Sequence, residues 1–205
     1  MSPRVFLASV LVLFAGSAMA IEEPEFELIE KAGSFELREY APRIVAETLV
    51  SGAFKDASGE GFKRIADYIF GNNVSRSGES RNIEMTAPVS MVPRAEKIGM
   101  TAPVNMERTR DEWRVQFFMP RSYTMDTLPR PNRSEVQLRT LPAENFAVHR
   151  FSGLVSEDKK KEKIAELLEW LAEKNIEPRG EPVLARYNPP WTLPFLRRNE
   201  VMLAY

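Results

Sequence analysis

The sequence has 205 residues, of which 28 are basic and 29 acidic, so the formal net charge at pH 7 is −1. Both signs are mixed along the chain without a basic stripe, which argues against a nucleic-acid-binding surface. The chain has no cysteine, and this excludes disulfides, thiolate metal sites and cysteine nucleophiles.

The first twenty residues have the layout of a secretory signal peptide. Arg4 is their one charged residue, an apolar run occupies residues 5–14, and Ala18-Met19-Ala20 supplies a small-residue cleavage site. The apolar run is too short to span a bilayer, which takes roughly 20 helical residues. We therefore expect cleavage after Ala20, export to a bacterial periplasm and no permanent membrane anchor. Residues 21–205 then have the usual size of one domain.

The first half of the remaining chain predicts strands followed by a helix. Apolar and charged residues alternate over residues 26–40, around a turn at Gly33-Ser34, and a second strand region follows over residues 44–50. The apolar spacing then becomes that of an amphipathic helix over residues 60–70, with a stripe formed by Phe62, Ile65, Ala66, Ile69 and Phe70.

A pentapeptide is repeated in the middle of the chain, as Met85-Thr86-Ala87-Pro88-Val89 and as Met100-Thr101-Ala102-Pro103-Val104. The proline in each copy predicts strands at sheet edges or bulges, although a binding element is also possible at this point. A strand-like run follows over residues 113–119, and the proline-containing residues 120–142 suit an extended connector.

The second half repeats the plan of the first. Strand-like residues 146–151 end in Ser152-Gly153, as the earlier strand ends in Ser51-Gly52. A helix follows whose apolar stripe consists of Ile164, Leu167, Leu168 and Leu171, and strands are predicted near residues 183–187 and 200–205. This pattern predicts an α+β protein of two duplicated halves with the helices outside the sheets.

The sequence presents few candidates for catalysis. It lacks a phosphate loop, a zinc-protease helix motif and a Gly-x-Ser-x-Gly elbow. His149 is the single histidine, so a multi-histidine metal site is impossible. As a metal ligand or proton carrier His149 is a weak candidate, because its strand position beside aromatic residues explains it better.

Two distinctive runs lie near the C-terminus, Tyr187-Asn188-Pro189-Pro190-Trp191-Thr192 and Phe195-Leu196-Arg197-Arg198-Asn199-Glu200-Val201. Together with the doubled pentapeptide and residues 68–73, they resemble the SOUL haem-binding protein family. The resemblance extends from about residue 25 to the C-terminus. It implies a distorted antiparallel β-barrel flanked by two helices, with the two halves related by a pseudo-twofold axis.

The resemblance also implies binding of haem or a related tetrapyrrole in a shallow apolar groove beside the first helix. Its groove positions correspond to Phe62, Ala66 and Ile69, with Lys63 as a neighbouring positive charge, whereas Asp67 stands where a lysine can occur. The interpretation is a non-catalytic carrier or buffer whose ligand is haem or another flat apolar molecule. Two alternatives remain open, namely an enzyme that removes iron from haem and a protein that binds a lipid or peptide.

Overall fold

The computed structural model describes residues 22–93, 112–189 and 191–205. These residues contain two helices and eleven strands. In chain order the elements are β1 (Phe26–Ala32), β2 (Phe35–Tyr40), β3 (Arg43–Ser51), α1 (Phe54–Ile69), β4 (Asn73–Val74), β5 (Val89–Pro93), β6 (Glu112–Phe118), β7 (Arg130–Pro131), β8 (Val136–Leu141), β9 (Glu144–Phe151), α2 (Glu157–Glu173), β10 (Arg179–Arg186) and β11 (Asn199–Ala204). No helix within these ranges is long and apolar enough to cross a membrane.

Nine of the strands form one antiparallel sheet in the order β1-β2-β9-β11-β10-β5-β6-β3-β8, and β4 pairs with β7 separately. The predicted α+β class with two helices is therefore confirmed. Closure into a barrel is not confirmed, because over the described ranges the end strands β1 and β8 do not pair with each other.

The strand order shows the predicted duplication. Strand β2 directly precedes β3 in the sequence, yet it pairs with β9. In the same way β8 directly precedes β9, yet it pairs with β3. Each half therefore receives one strand from the other. Outward from the central pair β10–β5, strands β11, β9 and β2 on one side correspond to β6, β3 and β8 on the other, and β1 is an additional edge strand.

Both helices lie on one face of the sheet. Helix α1 packs on β3 and β6, and α2 packs on β9 and β11. Leu184 of β10 belongs to the core under α2, and its registered neighbour Met91 on β5 belongs to the core under α1, so the two cores share a face. Phe54 packs against both cores.

Helix α1 begins six residues before the predicted start and approaches the sheet closely. Its buried residues include Ile65 and Ile69 from the predicted stripe. At Gly61 a Cβ atom would lie 2.4 Å from Cγ2 of Val115, so glycine allows the helix to rest directly on β6.

Helix α2 lies between its capping residues Ser156 and Lys174. Ser156 caps its N-terminus by accepting a hydrogen bond from the backbone N–H of Lys159 at 3.1 Å. The buried positions are Leu167, Trp170 and Leu171. Leu168, which the sequence placed in the apolar stripe, is exposed because Trp170 shifts the buried face.

Two expectations for the middle of the chain were wrong. The strand that follows Pro88 is not at an edge, since β5 lies between β10 and β6. Pro88 precedes the first residue of β5, so its missing N–H breaks no ladder hydrogen bond there. The supposed connector contains β8, an edge strand beside β3. The second pentapeptide copy and the expected cleavage site lie outside the described residues.

Candidate functional site

The four residues predicted to bind a ligand along α1 do not form one open surface. Ala66 and Ile69 are buried, because the stripe that carries them packs on the sheet. Lys63 is exposed, and Phe62 is 39% exposed. The ring of Phe62 contacts that of the buried Phe117, with 5.4 Å between centroids. Phe62 is thus the apolar residue of the predicted group that a ligand can reach.

Phe62 belongs to a row of side chains on the helix-bearing face. Val89 is the registered neighbour of Phe117 on one side and of Arg186 on the other, so these three residues cross β6, β5 and β10 in line. The Nη1 group of Arg186 reaches the hydroxyl of Ser58 at 3.5 Å. Ser58 lies one helical turn before Phe62. We call Ser58, Phe62, Val89, Phe117 and Arg186 the α1 site.

The α1 site has a positive charge that lacks an ionic partner. Arg186 is partly buried, and no carboxylate of the described residues lies within ion-pair distance of it. Burial, followed by the nearby positive charge of Arg197, lowers the pKa of Arg186. Two neighbouring guanidinium groups next to an exposed aromatic ring can therefore accept a flat apolar molecule that carries carboxylates.

Asp67, on α1, has a structural role. Its carboxylate accepts hydrogen bonds from Asn72 at 2.6 Å and from Arg133 at 2.8 Å, and these contacts lower its pKa. They tie the end of α1 to the loop before β8. The acidic residue at this position therefore has an explanation within the fold.

His149 lies in the other half of the sheet, under α2. Its ring stacks on Phe35 with 4.2 Å between centroids, and its Nδ1 lies 3.4 Å from the backbone carbonyl of Lys163 and 3.5 Å from the carboxylate of Glu166. Burial lowers its pKa, so the neutral form is favoured. Among the described residues no group of three His, Cys, Asp or Glu side chains could hold a metal ion.

On the opposite face of the sheet, sequence reasoning missed a buried ionic network. The guanidinium of Arg38 donates to both carboxylate oxygens of Glu200, at 2.9 and 3.0 Å, and to Glu36. Glu200 also accepts hydrogen bonds from the hydroxyl of Tyr187 at 2.6 Å and from Arg198 at 2.9 Å. The one sequence signal was that Glu36 and Arg38 share a side of β2.

The network explains part of the C-terminal motif. Burial alone would raise the pKa of Glu200, but the hydrogen bonds and charge of Arg38 outweigh it and hold that pKa below its ordinary value. Arg38 and Glu200 are both fully buried, and they pair with each other. The network therefore joins β2 to β11 across the intervening β9, and so links two strands that are not neighbours in the sheet.

Comparison with known proteins gives one family match and a set of similar folds. The sequence profile described as "SOUL heme-binding protein" matches residues 21–204. No curated protein sequence matches the chain. One solved structure with a similar fold is the crystal structure of the EcmrR C-terminal domain. Its sequence is 10% identical to this chain, the TM-score is 0.55, and the match covers 83% of this chain and 95% of that one.

A second similar structure is that of a hydrolase from Listeria innocua. It is 13% identical, with a TM-score of 0.54, and the match covers 83% of this chain and 90% of that one. At such identities these likenesses concern the fold alone.

Proposed function

Because the chain belongs to the SOUL heme-binding protein family, we propose that it binds haem or a related tetrapyrrole at the α1 site and acts as a non-catalytic carrier. The family match supports the proposed class of ligand. The location rests on the exposed ring of Phe62 beside the unpaired guanidinium of Arg186.

The apolar part of the ligand would cover the Phe62 ring. Covering the 39% of Phe62 that is exposed removes about 80 Å² from water, on a total of ~200 Å² for this side chain, and contributes roughly 2 kcal/mol. Offset stacking on the porphyrin plane is favourable for an aromatic ring. Phe62 is therefore the apolar anchor of the proposed site.

The charged part of the ligand would face the arginines. A tetrapyrrole with two propionates supplies the carboxylates that Arg186 lacks, and Arg197 and Lys63 add positive charge nearby. Charge-assisted pairs with a guanidinium are shorter and stronger than neutral hydrogen bonds. Contact of the porphyrin ring with Phe62 and of the propionates with Arg186 would then orient the ligand.

A carrier fits the side chains at this site better than an enzyme does. The groups there are an aromatic ring, a hydroxyl and guanidinium groups that stay charged at neutral pH. Exchange of iron for protons requires a group that titrates near neutrality, for which histidine is the usual choice. The chain has one histidine, and it lies under α2, against Phe35.

Titration with hemin, followed at the Soret band, tests the proposal. Phe62→Ala should weaken hemin binding roughly tenfold to thirtyfold, as expected for a loss of about 2 kcal/mol. Phe70→Ala is the matched control, because Phe70 is an exposed phenylalanine just beyond the end of the same helix. Equal affinity for hemin in the Phe62 variant and the wild type would place the ligand elsewhere.

The charge argument has its own test. Hemin dimethyl ester lacks the propionate charges, so the wild type should bind it more weakly than hemin. Arg186→Gln should remove most of that difference, whereas Arg76→Gln, at an exposed arginine paired with Asp126, should leave it unchanged. A wild type that binds hemin and its ester equally well would contradict the proposed role of Arg186.

A further inference from the structure

The loop between β10 and β11 exposes a group of large apolar side chains. Trp191 is 82% exposed and Phe195 70% exposed, and three leucines nearby are more than half exposed. The backbone N–H of Gly153 donates to the carbonyl of Pro194 at 2.9 Å, which joins the loop before α2 to this one. We call the exposed group the apolar tip; it consists of Leu154, Trp191, Leu193, Phe195 and Leu196.

The apolar tip is held in place by hydrogen bonds. Residues Pro194–Leu196 form a turn of 3₁₀ helix, and the Nε of Arg197 donates to the carbonyl of Thr192 at 2.7 Å. At the base of the loop the backbone N–H of Arg198 donates to the side chain of Asn188 at 2.6 Å. These hydrogen bonds fix the backbone of the loop, while its apolar side chains are exposed.

The two segments that contain the apolar tip are rich in basic residues. The two segments that contain it, residues 150–163 and 186–198, carry eight Lys or Arg residues and three Asp or Glu residues. The whole chain has a net charge of −1. The cationic charge is therefore concentrated in the segments that form the tip and its base.

We propose that the apolar tip docks the protein on the surface of an anionic phospholipid bilayer. This loop presents its apolar side chains from the end of a hairpin, which suits insertion into a lipid surface better than enclosure of a small ligand. Tryptophan favours the interface between headgroups and acyl chains. The excess of basic residues in the two segments matches the negative potential of anionic lipids. Docking of this kind is peripheral and reversible, and it does not depend on haem.

Flotation of the full chain with lipid vesicles tests the proposal. The wild type should float with vesicles made of equal parts phosphatidylglycerol and phosphatidylcholine, and its binding should fall with added salt. The double variant Trp191→Ser/Phe195→Ser should bind these vesicles at least about tenfold more weakly. Both proteins carry the same N-terminal segment, so any contribution from that segment cancels in the comparison.

Phe70→Ser is the control, since it removes an exposed phenylalanine outside the apolar tip and should bind like the wild type. Circular dichroism and thermal melting should show that all variants are folded. Wild-type protein that stays with the aqueous phase overturns the proposal. The proposal is also overturned if the wild type binds pure phosphatidylcholine vesicles as well as the anionic ones, or if the double variant binds as well as the wild type. A wild-type dimer that the double variant abolishes, without vesicle binding, would instead identify a contact between two copies of the chain.

Discussion

Replacing Glu200 by glutamine should destabilise the protein far more than a surface charge change does. Glu200 is fully buried and accepts two hydrogen bonds from Arg38, one from Tyr187 and one from Arg198. Glutamine has nearly the same shape, but its amide N–H groups would face the donors of Arg38. The change therefore leaves buried positive charge without its principal partner.

The expected cost follows from that burial. Breaking a buried ion pair by removing one partner costs about 3–5 kcal/mol. A domain of this kind has a free energy of unfolding of about 5–15 kcal/mol, so Glu200→Gln should remove a large part of it. The matched control is Glu157→Gln, because Glu157 pairs with Lys160 at 2.8 Å on the surface of α2. Its loss should cost at most about 1 kcal/mol.

Urea unfolding followed by circular dichroism measures both costs at neutral pH. The pH dependence adds a second measurement. Because the folded-state pKa of Glu200 lies below its ordinary value of 4.5, the stabilisation by its ionised form is present above that value and is lost as pH falls through the folded-state pKa. The stability difference between wild type and Glu200→Gln should therefore narrow in acid. A cost below about 1 kcal/mol at neutral pH, or a difference that stays constant down to about pH 3, would refute this reasoning.

Four further predictions concern other parts of the chain. Gly61→Ala should destabilise the fold by about 1–3 kcal/mol, measured by urea unfolding, and adding Val115→Ala should restore part of the loss because it removes the side chain that the new Cβ would meet. Burial lowers the pKa of His149, so the neutral imidazole stabilises the fold above the ordinary pKa of 6.5, and this stabilisation is lost as pH falls below that value. A His149→Phe variant should therefore lack this pH dependence of the melting temperature. An unchanged pH dependence would contradict the burial argument. His149→Ala should retain most hemin affinity in the Soret titration, since His149 lies under α2; complete loss would point to axial ligation. We also propose export with cleavage after Ala20, so sequencing of the N-terminus of periplasmic protein should begin at Ile21, and a retained Met1 would speak against it.

Helix α1 illustrates how far local sequence patterns reach. Its apolar stripe predicted the buried positions Ile65 and Ile69 and the end near Gly71, which adopts a positive φ of 115°. The first six residues were missed because Gly59, the last of them, is a weak helix former. Packing of Phe54 on both cores and the contact of Gly61 with β6 override that propensity, and neither is visible before the fold is known.

The two groups of charged residues were missed for a related reason. Arg38 and Glu200 are 162 positions apart in the chain, and each is unremarkable among its charged neighbours. Arg186 at the end of β10 is likewise an ordinary arginine in the sequence. Its significance depends on the absence of a nearby carboxylate in the described structure and on its contact with Ser58. Such properties arise only when the sheet order brings distant strands together.

The place of β11 has a consequence for how the chain folds during synthesis. This strand consists of residues 199–204, the last strand in chain order among the described residues, yet it lies between β9 and β10. Strands β2 and β8 also pair with strands from the other half of the chain, β9 and β3 respectively. Most of the pairing is therefore nonlocal, which slows folding and lengthens the exposure of unpaired strand edges. The sheet cannot be completed before residues 199–204 have been synthesised, so β9 and β10 lack the strand between them until then.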